Sequence, residues 1–204
     1  MEKLSARIVA AGFLVLATPA MAKPVTTTRY DYYTISGANA VEVYDAMLRR
    51  GPHVDGDKAY AATSATSSQQ GKLVAGQSCR IEGYAVNIDF VIRLPKLRDA
   101  GALTRSERRR FEQFTQFLRR HEETHRSIWL QCASQLEAKV AAIRAPTCGE
   151  AEAKSTRLWD AMRKSCSLRH RAFDAAEEKH LLQTPFVRSV LRRKAHDENA
   201  AAAP

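Results

Sequence analysis

His121-Glu122-Glu123-Thr124-His125 sets two imidazoles four residues apart, with a carboxylate directly after the first. Residues at i and i+4 share a helix face, so both rings can approach one cation. Zinc bound there lowers the pKa of a water, and the neighbouring carboxylate can take its proton. The spacing therefore points to metal-assisted hydrolysis, with His121 and His125 as ligands and Glu122 as general base. Glu123 falls where the pattern accepts almost any residue, which suits a solvent-facing or supporting role. Chance also produces such spacing in charged helices. The plain alternative is a pair of buried, hydrogen-bonded histidines that pack two helices together.

The surrounding pattern places both histidines on an apolar face. Phe111, Phe114, Leu118, Ile128, Cys132, Leu136 and Val140 recur with them at three- and four-residue steps. Thr104-Arg105-Ser106-Glu107 fits a capping box, and no Pro or Gly follows until after Ile143. A helix of that length is long for a globular domain, so one break is expected. Pro146 and Gly149 mark a turn, Thr147 and Glu150 suit a second capping box, and another helix runs to about Leu182 before Pro185.

This hairpin narrows the search for a third ligand. His125 lies ~27 Å of helix before residue 143, and an equal rise on the return helix reaches about residue 167. The matching point for His121 is about residue 171. His170 lies between the two and is the first choice. Asp174, Glu177, Glu178 and His180 remain alternatives, each with the plain reading of a solvated polar residue. Tyr84, Arg126 and Arg169 are possible donors to a developing oxyanion.

The N-terminal half reads as strands. VTTTRYDYYTI at residues 25–35 is rich in Thr and Tyr. Ser36 or Asn39 can cap a helix over 40–50, which Gly51-Pro52 ends. Strands are expected at 58–64, 72–80 and 84–94, with a Ser/Thr/Gln loop over 65–71 and Pro95 closing the last strand. The 84–94 segment alternates strictly, which puts Tyr84, Val86, Ile88, Phe90 and Ile92 on one face. The expected fold class is α+β: a small N-terminal antiparallel sheet with one helix, then a long α-helical hairpin carrying the two histidines. The expected organisation is one domain over 23–185, with 23–95 mainly strands and 104–182 the hairpin. A short basic helix over 186–194 and a disordered tail to 204 would follow.

Residues 1–22 open with Lys3 and Arg7, continue with an apolar run from Ile8 to Ala17 and end in Ala20-Met21-Ala22. That order suits a signal peptide cleaved near Ala22 and a periplasmic or secreted product. Cys79, Cys132, Cys148 and Cys166 form no CxxC pair, which argues against thiolate metal binding. In an exported chain they suggest two disulfides, with three connectivities open. Pairing Cys148 with Cys166 is disfavoured if one straight helix carries both, because they would stand ~27 Å apart. The formal net charge is +10. For an exported chain this implies weak contact with anionic envelope surfaces rather than nucleic acid. Arg108, Arg109, Arg110, Arg119 and Arg120 read more simply as a solvated helix face.

With these residues in view, the chain resembles a bacterial domain family, formerly of unknown function, described as predicted secreted zinc-dependent proteases. The resemblance covers most of the chain after the leader: the Tyr- and Thr-containing strand, the sheet region ending at Leu94-Pro95, then Phe114, Leu118 and the 121–125 pattern. It implies a metalloprotease-like role, zinc as cofactor, and a polypeptide or cell-envelope substrate. The family's two histidines and glutamate fall on His121, His125 and Glu122. Members often carry a later aromatic-Asp segment followed by Thr and His-Gly. The nearest match here is Phe173-Asp174, then Glu177 and His180; the Thr is missing and Leu181 replaces the Gly. The other functional classes left open are a non-catalytic envelope binding or scaffold protein, with a structural metal or none, and, least supported, an arginine-rich nucleic-acid binder.

Overall fold

The computed structural model describes residues 25–54 and 56–202. The expected signal peptide therefore lies outside the described residues. The elements are β1 (Thr26–Ile35), α1 (Ala40–Arg50), β2 (His53–Val54), β3 (Asp57–Lys58), β4 (Ala62–Val74), β5 (Arg80–Leu97), a 3-10 turn (Ala100–Ala102), α2 (Arg105–Ala141), α3 (Cys148–Gln183) and α4 (Pro185–Ala201). The class is α+β, as the sequence implies. No helix among the described residues is long and apolar enough to cross a membrane.

The sheet is mixed rather than antiparallel. Its order is β1-β5-β4, with β5 antiparallel to β4 and parallel to β1. The chain turns directly from β4 into β5, which forces an antiparallel pair. The α1 connection leads from the end of β1 past β5 into β4, which is antiparallel to β1, and the β4–β5 turn reverses the chain again, so β5 enters between them parallel to β1. β2 and β3 form a separate two-stranded hairpin. The Ala59 N–H donates to the Pro52 carbonyl at 2.9 Å and closes the base of this hairpin.

The Ser/Thr/Gln stretch expected as a loop is the middle of one 13-residue strand, β4. Residues 75–79, inside the strand expected over 72–80, are instead the connection to β5. An edge strand pairs on one side only and tolerates polar side chains that a central strand would not. The register slips once, between Gln70 and Lys72. A side chain at the intervening Gly71 would press on Ile81 and Tyr84.

β5 runs through Pro95 to Leu97 instead of stopping. Ile88 and Arg98 donate their N–H groups to Val25 and Ile35. Even-numbered residues of β5 thus face β1, and Pro95 would face β4. That strand has already ended, since its first residue, Ala62, pairs with Arg93. The missing N–H of Pro95 costs no ladder bond there.

α2 and α3 are unbroken helices of 37 and 36 residues, so the expected break in α2 does not occur. Thr104 and Glu107 form the full capping box, and Thr147 caps α3 through the Glu150 N–H at 3.2 Å. The helical part is more than a hairpin. α4 continues to Ala201 where a disordered tail was expected, burying Phe186, Val187 and Val190 completely. Lys194 reaches Asp45 on α1 at 2.6 Å. The Ala-rich end of α4 then extends by its helix propensity.

Three apolar clusters support the centre of α2. Ile35, Met47, Ile92, Phe114 and Phe186 lie in the first. Val86, Ile88, Phe90, Leu136 and Val140 lie in the second. Ile128, Cys132 and Cys166 form the third. The disulfides are Cys79–Cys148 and Cys132–Cys166, and no cysteine is free. The second ties α2 to α3 about two turns from His125 and one turn from His170.

Candidate metal centre

α2 is buried on two sides, and this divides the work of the 121–125 segment. His121 and His125 face α3, with side chains 17% and 14% exposed. Glu122 faces the sheet and is 4% exposed. Across from the histidines, α3 brings Asp174. Its Oδ1 lies 3.2 Å from His121 Nε2 and 2.9 Å from His125 Nε2, and the two Nε2 atoms are 3.1 Å apart. Ligand atoms on all three side chains lie within 4.8 Å of one another.

This cluster can chelate a metal. Two imidazole nitrogens and a carboxylate oxygen are a donor set that zinc accepts, and a tetrahedral site with ~2.1 Å bonds spaces its donors ~3.4 Å apart. The observed separations are close to that. His170 stands behind His125, with their Nδ1 atoms 2.9 Å apart. Such a partner orients a ligating ring through its other nitrogen. His121 has no equivalent: its Nδ1 is buried without a hydrogen-bond partner, though its ring stacks on Phe173 at 4.7 Å.

Burial lowers the pKa of His121, His125 and His170, against the opposing pull of Asp174. Neutral rings keep a lone pair for a cation. Burial pushes the Glu122 carboxyl up to about 7, partly offset by a hydrogen bond from Thr63, while Asp174 adds to the rise. Thr63 on β4 places its Oγ1 2.8 Å from Glu122 Oε2 and 3.0 Å from the Glu122 carbonyl oxygen. Thr63, Glu122 and the three cluster residues line one cleft of about 450 Å³, roofed partly by Val54 of β2.

The remaining sequence candidates fall elsewhere. Glu177 pairs with His180 at 2.8 Å, and Glu177 and Glu178 line an adjoining cleft beside His121 and Asp174 rather than joining the cluster. The first-choice third ligand, His170, contacts His125 on the side away from the converging Nε2 atoms, and Asp174 takes the facing position. Equal helical rise reaches His170, whereas the side chain facing both Nε2 atoms stands one turn further along α3, because side-chain direction as well as rise sets the contact. Tyr84 bonds Gln69, Arg126 bonds Thr28, and Arg169 bonds Gln131, and none of the three lines the cleft.

Glu123 is neither free nor at the cluster. Its Oε1 accepts from Tyr30 at 2.8 Å and Arg119 at 2.9 Å, docking α2 on β1. These bonds hold its carboxyl below the usual range. Glu137 has a similar docking role that the sequence did not signal. Beyond the Ile88–Val25 bond, the next N–H on that edge of β5 is Val86, and Glu137 accepts it at 2.7 Å.

Residues 30–180 match the model of a family described as a bacterial protein of unknown function (DUF922). The chain belongs to that family. No curated protein and no solved structure matches it. The matched region runs from within β1 nearly to the end of α3, so Thr63, Glu122 and the whole cluster lie inside it, whereas α4 lies outside. The family's description names no activity.

Proposed function

We propose that this protein is an exported, zinc-dependent hydrolase of the metallopeptidase type, acting on a polypeptide or another cell-envelope substrate. One observation carries the reading: the buried Glu122 carboxylate lines the same cleft as three converging metal donors. Zinc held by His121, His125 and Asp174 would supply a Lewis acid and lower the pKa of a water. Glu122 is the group placed to take a proton in the cleft and return it to a leaving amine. Thr63 holds that carboxylate in position, and His170 holds the His125 ring. The leader-like N-terminus and two disulfides support a periplasmic or secreted location.

A second reading is a non-catalytic envelope binding or scaffold protein, with a structural metal or none. A specific observation favours it. Asp174 Oδ1 already lies 3.2 and 2.9 Å from the two Nε2 atoms, and His170 braces His125 from behind, so polar contacts link α2 and α3 here. Such a polar network can tie α2 to α3 whether or not a metal is bound.

Zinc analysis together with a Glu122→Gln variant separates the two. The hydrolase reading expects about one zinc per chain and a variant that keeps the metal but loses peptide hydrolysis by at least ~100-fold. Full hydrolysis by the variant would overturn the assigned role of Glu122. A zinc-loaded protein that cleaves nothing, and whose cellular role survives the substitution, would establish the scaffold reading.

A further inference from the structure

Three clefts join end to end along one face of α3. The cluster cleft meets a second, of about 750 Å³, at Trp129 and Ser167. On its other side it meets a third, of about 490 Å³, at His121 and Asp174. Asp160, Lys164, Ser167, Arg171, Asp174, Glu178 and Leu181 supply the floor. Their steps of four and three place them in a single stripe along the helix. The β2–β3 hairpin roofs the middle and one end through Val54, Asp57 and Lys58.

Charge is divided about the cluster. Arg163, Lys164 and Arg171 line the trench on the N-terminal side of Asp174, against one acid, Asp160. On the C-terminal side the lining acids are Asp57, Glu177 and Glu178, against one base, Lys58. Among the described residues, only Glu177 of these lining charges is in an ion pair, with His180. Lys164 and Glu178 stand ~21 Å apart along the helix, a span that about six residues of extended chain would cover.

The geometry points to a charge-polarised polypeptide as the occupant of this trench. Its acidic residues lie toward Arg163, Lys164 and Arg171, its basic residues lie toward Asp57, Glu177 and Glu178, and the intervening bond lies over the metal cluster. The inference rests on the hydrolase reading for what happens to that bond, but not for how the chain is held. Trp129 offers an aromatic surface where the basic half joins the cluster cleft. Exposed pairs are individually weak, so several must act together and the preference must weaken with salt.

Quenched fluorescent peptides of about eight residues test this with the zinc-loaded chain. One carries acids before a neutral centre and bases after it, one has the reverse order, and one scrambles the same composition. One polarised order should be cut about tenfold faster than the scrambled peptide at low salt. A Lys164→Glu/Arg171→Glu/Glu178→Lys variant should prefer the opposite order. Equal rates for ordered and scrambled peptides, or an unchanged preference in the variant, would overturn the inference. If no peptide is cut, the hydrolase reading fails. Binding of the same labelled peptides, read by fluorescence anisotropy, then decides the trench by the same two comparisons.

Discussion

The Thr63 hydroxyl oxygen lies 2.8 Å from the Glu122 carboxylate and 3.0 Å from the Glu122 carbonyl oxygen. This links the start of the edge strand β4 to the helix that carries the two histidines. A hydroxyl donating to the charged carboxylate favours ionisation, while burial opposes it. The balance leaves the carboxyl near 7.

Thr63→Val removes that donor and keeps the shape. The Glu122 pKa should rise above about 7. A base must be ionised to act, so the limb on which hydrolysis increases with pH should move to higher pH. At neutral pH kcat should fall several-fold while KM holds. An unshifted pH–rate profile would show that Thr63 does not set the ionisation of Glu122.

The donors should separate by metal affinity. On the proposed reading, Asp174→Ala removes a donor facing both Nε2 atoms and should weaken zinc binding by more than ~100-fold. His170→Ala removes a group behind His125 and should cost ~10–100-fold, as loss of an outer partner does. Competition against a chromogenic chelator measures both. The reverse order would make His170 the third ligand.

The two disulfides should be alike in stability and unlike in function. They close segments with sequence separations of 69 and 34 residues. Chain entropy gives each ~4 kcal/mol, with little dependence on length. Cys132→Ser/Cys166→Ser should also weaken zinc binding, because that bridge joins α2 to α3 beside the cluster. Cys79→Ser/Cys148→Ser should leave affinity unchanged. Urea unfolding and zinc titration of both variants provide the comparison.

Glu107 couples three helices, and its loss should show in stability. Its carboxylate accepts from Ala40 N–H at 3.2 Å and Thr104 Oγ1 at 2.7 Å, and Arg193 lies 4.0 Å away. Burial pushes its pKa up, but these bonds outweigh it and hold the carboxyl below the ordinary value. A lowered acid pKa stabilises the fold above the unfolded value and loses that contribution as pH falls. Glu107→Ala should cost about 2–3 kcal/mol at pH 7, and less near pH 3. Urea midpoints at the two pH values check both parts.

The local features of this protein were open to inspection in the chain itself. The 3.6-residue period across Phe114, Leu118, Ile128 and Leu136 defines α2, and Thr104 with Glu107 marks its start. The alternation from Tyr84 to Ile92 defines the heart of β5. Each depends on residues within a turn or a strand of one another, where spacing alone fixes direction. For the same reason His121, Glu122 and His125 form a unit in the sequence itself.

Relations between distant segments were settled only by packing. β4 is a strand because β5 offers it a full edge, although its Ser/Thr/Gln composition suggested a loop. β1 runs parallel to β5 because the chain reverses twice between them, once through α1 into β4 and once at the β4–β5 turn. The tail of α4 is ordered because Phe186, Val187 and Val190 are anchored in the core. Cysteine pairing, the position of Asp174 opposite His121 and His125 and the contact of Thr63 with Glu122 all depend on how α3 and β4 meet α2. A shift of one turn carries a helical side chain ~5.4 Å, more than the reach of any of these contacts. No spacing within one segment encodes that offset; the apolar clusters and the Cys132–Cys166 bridge set it.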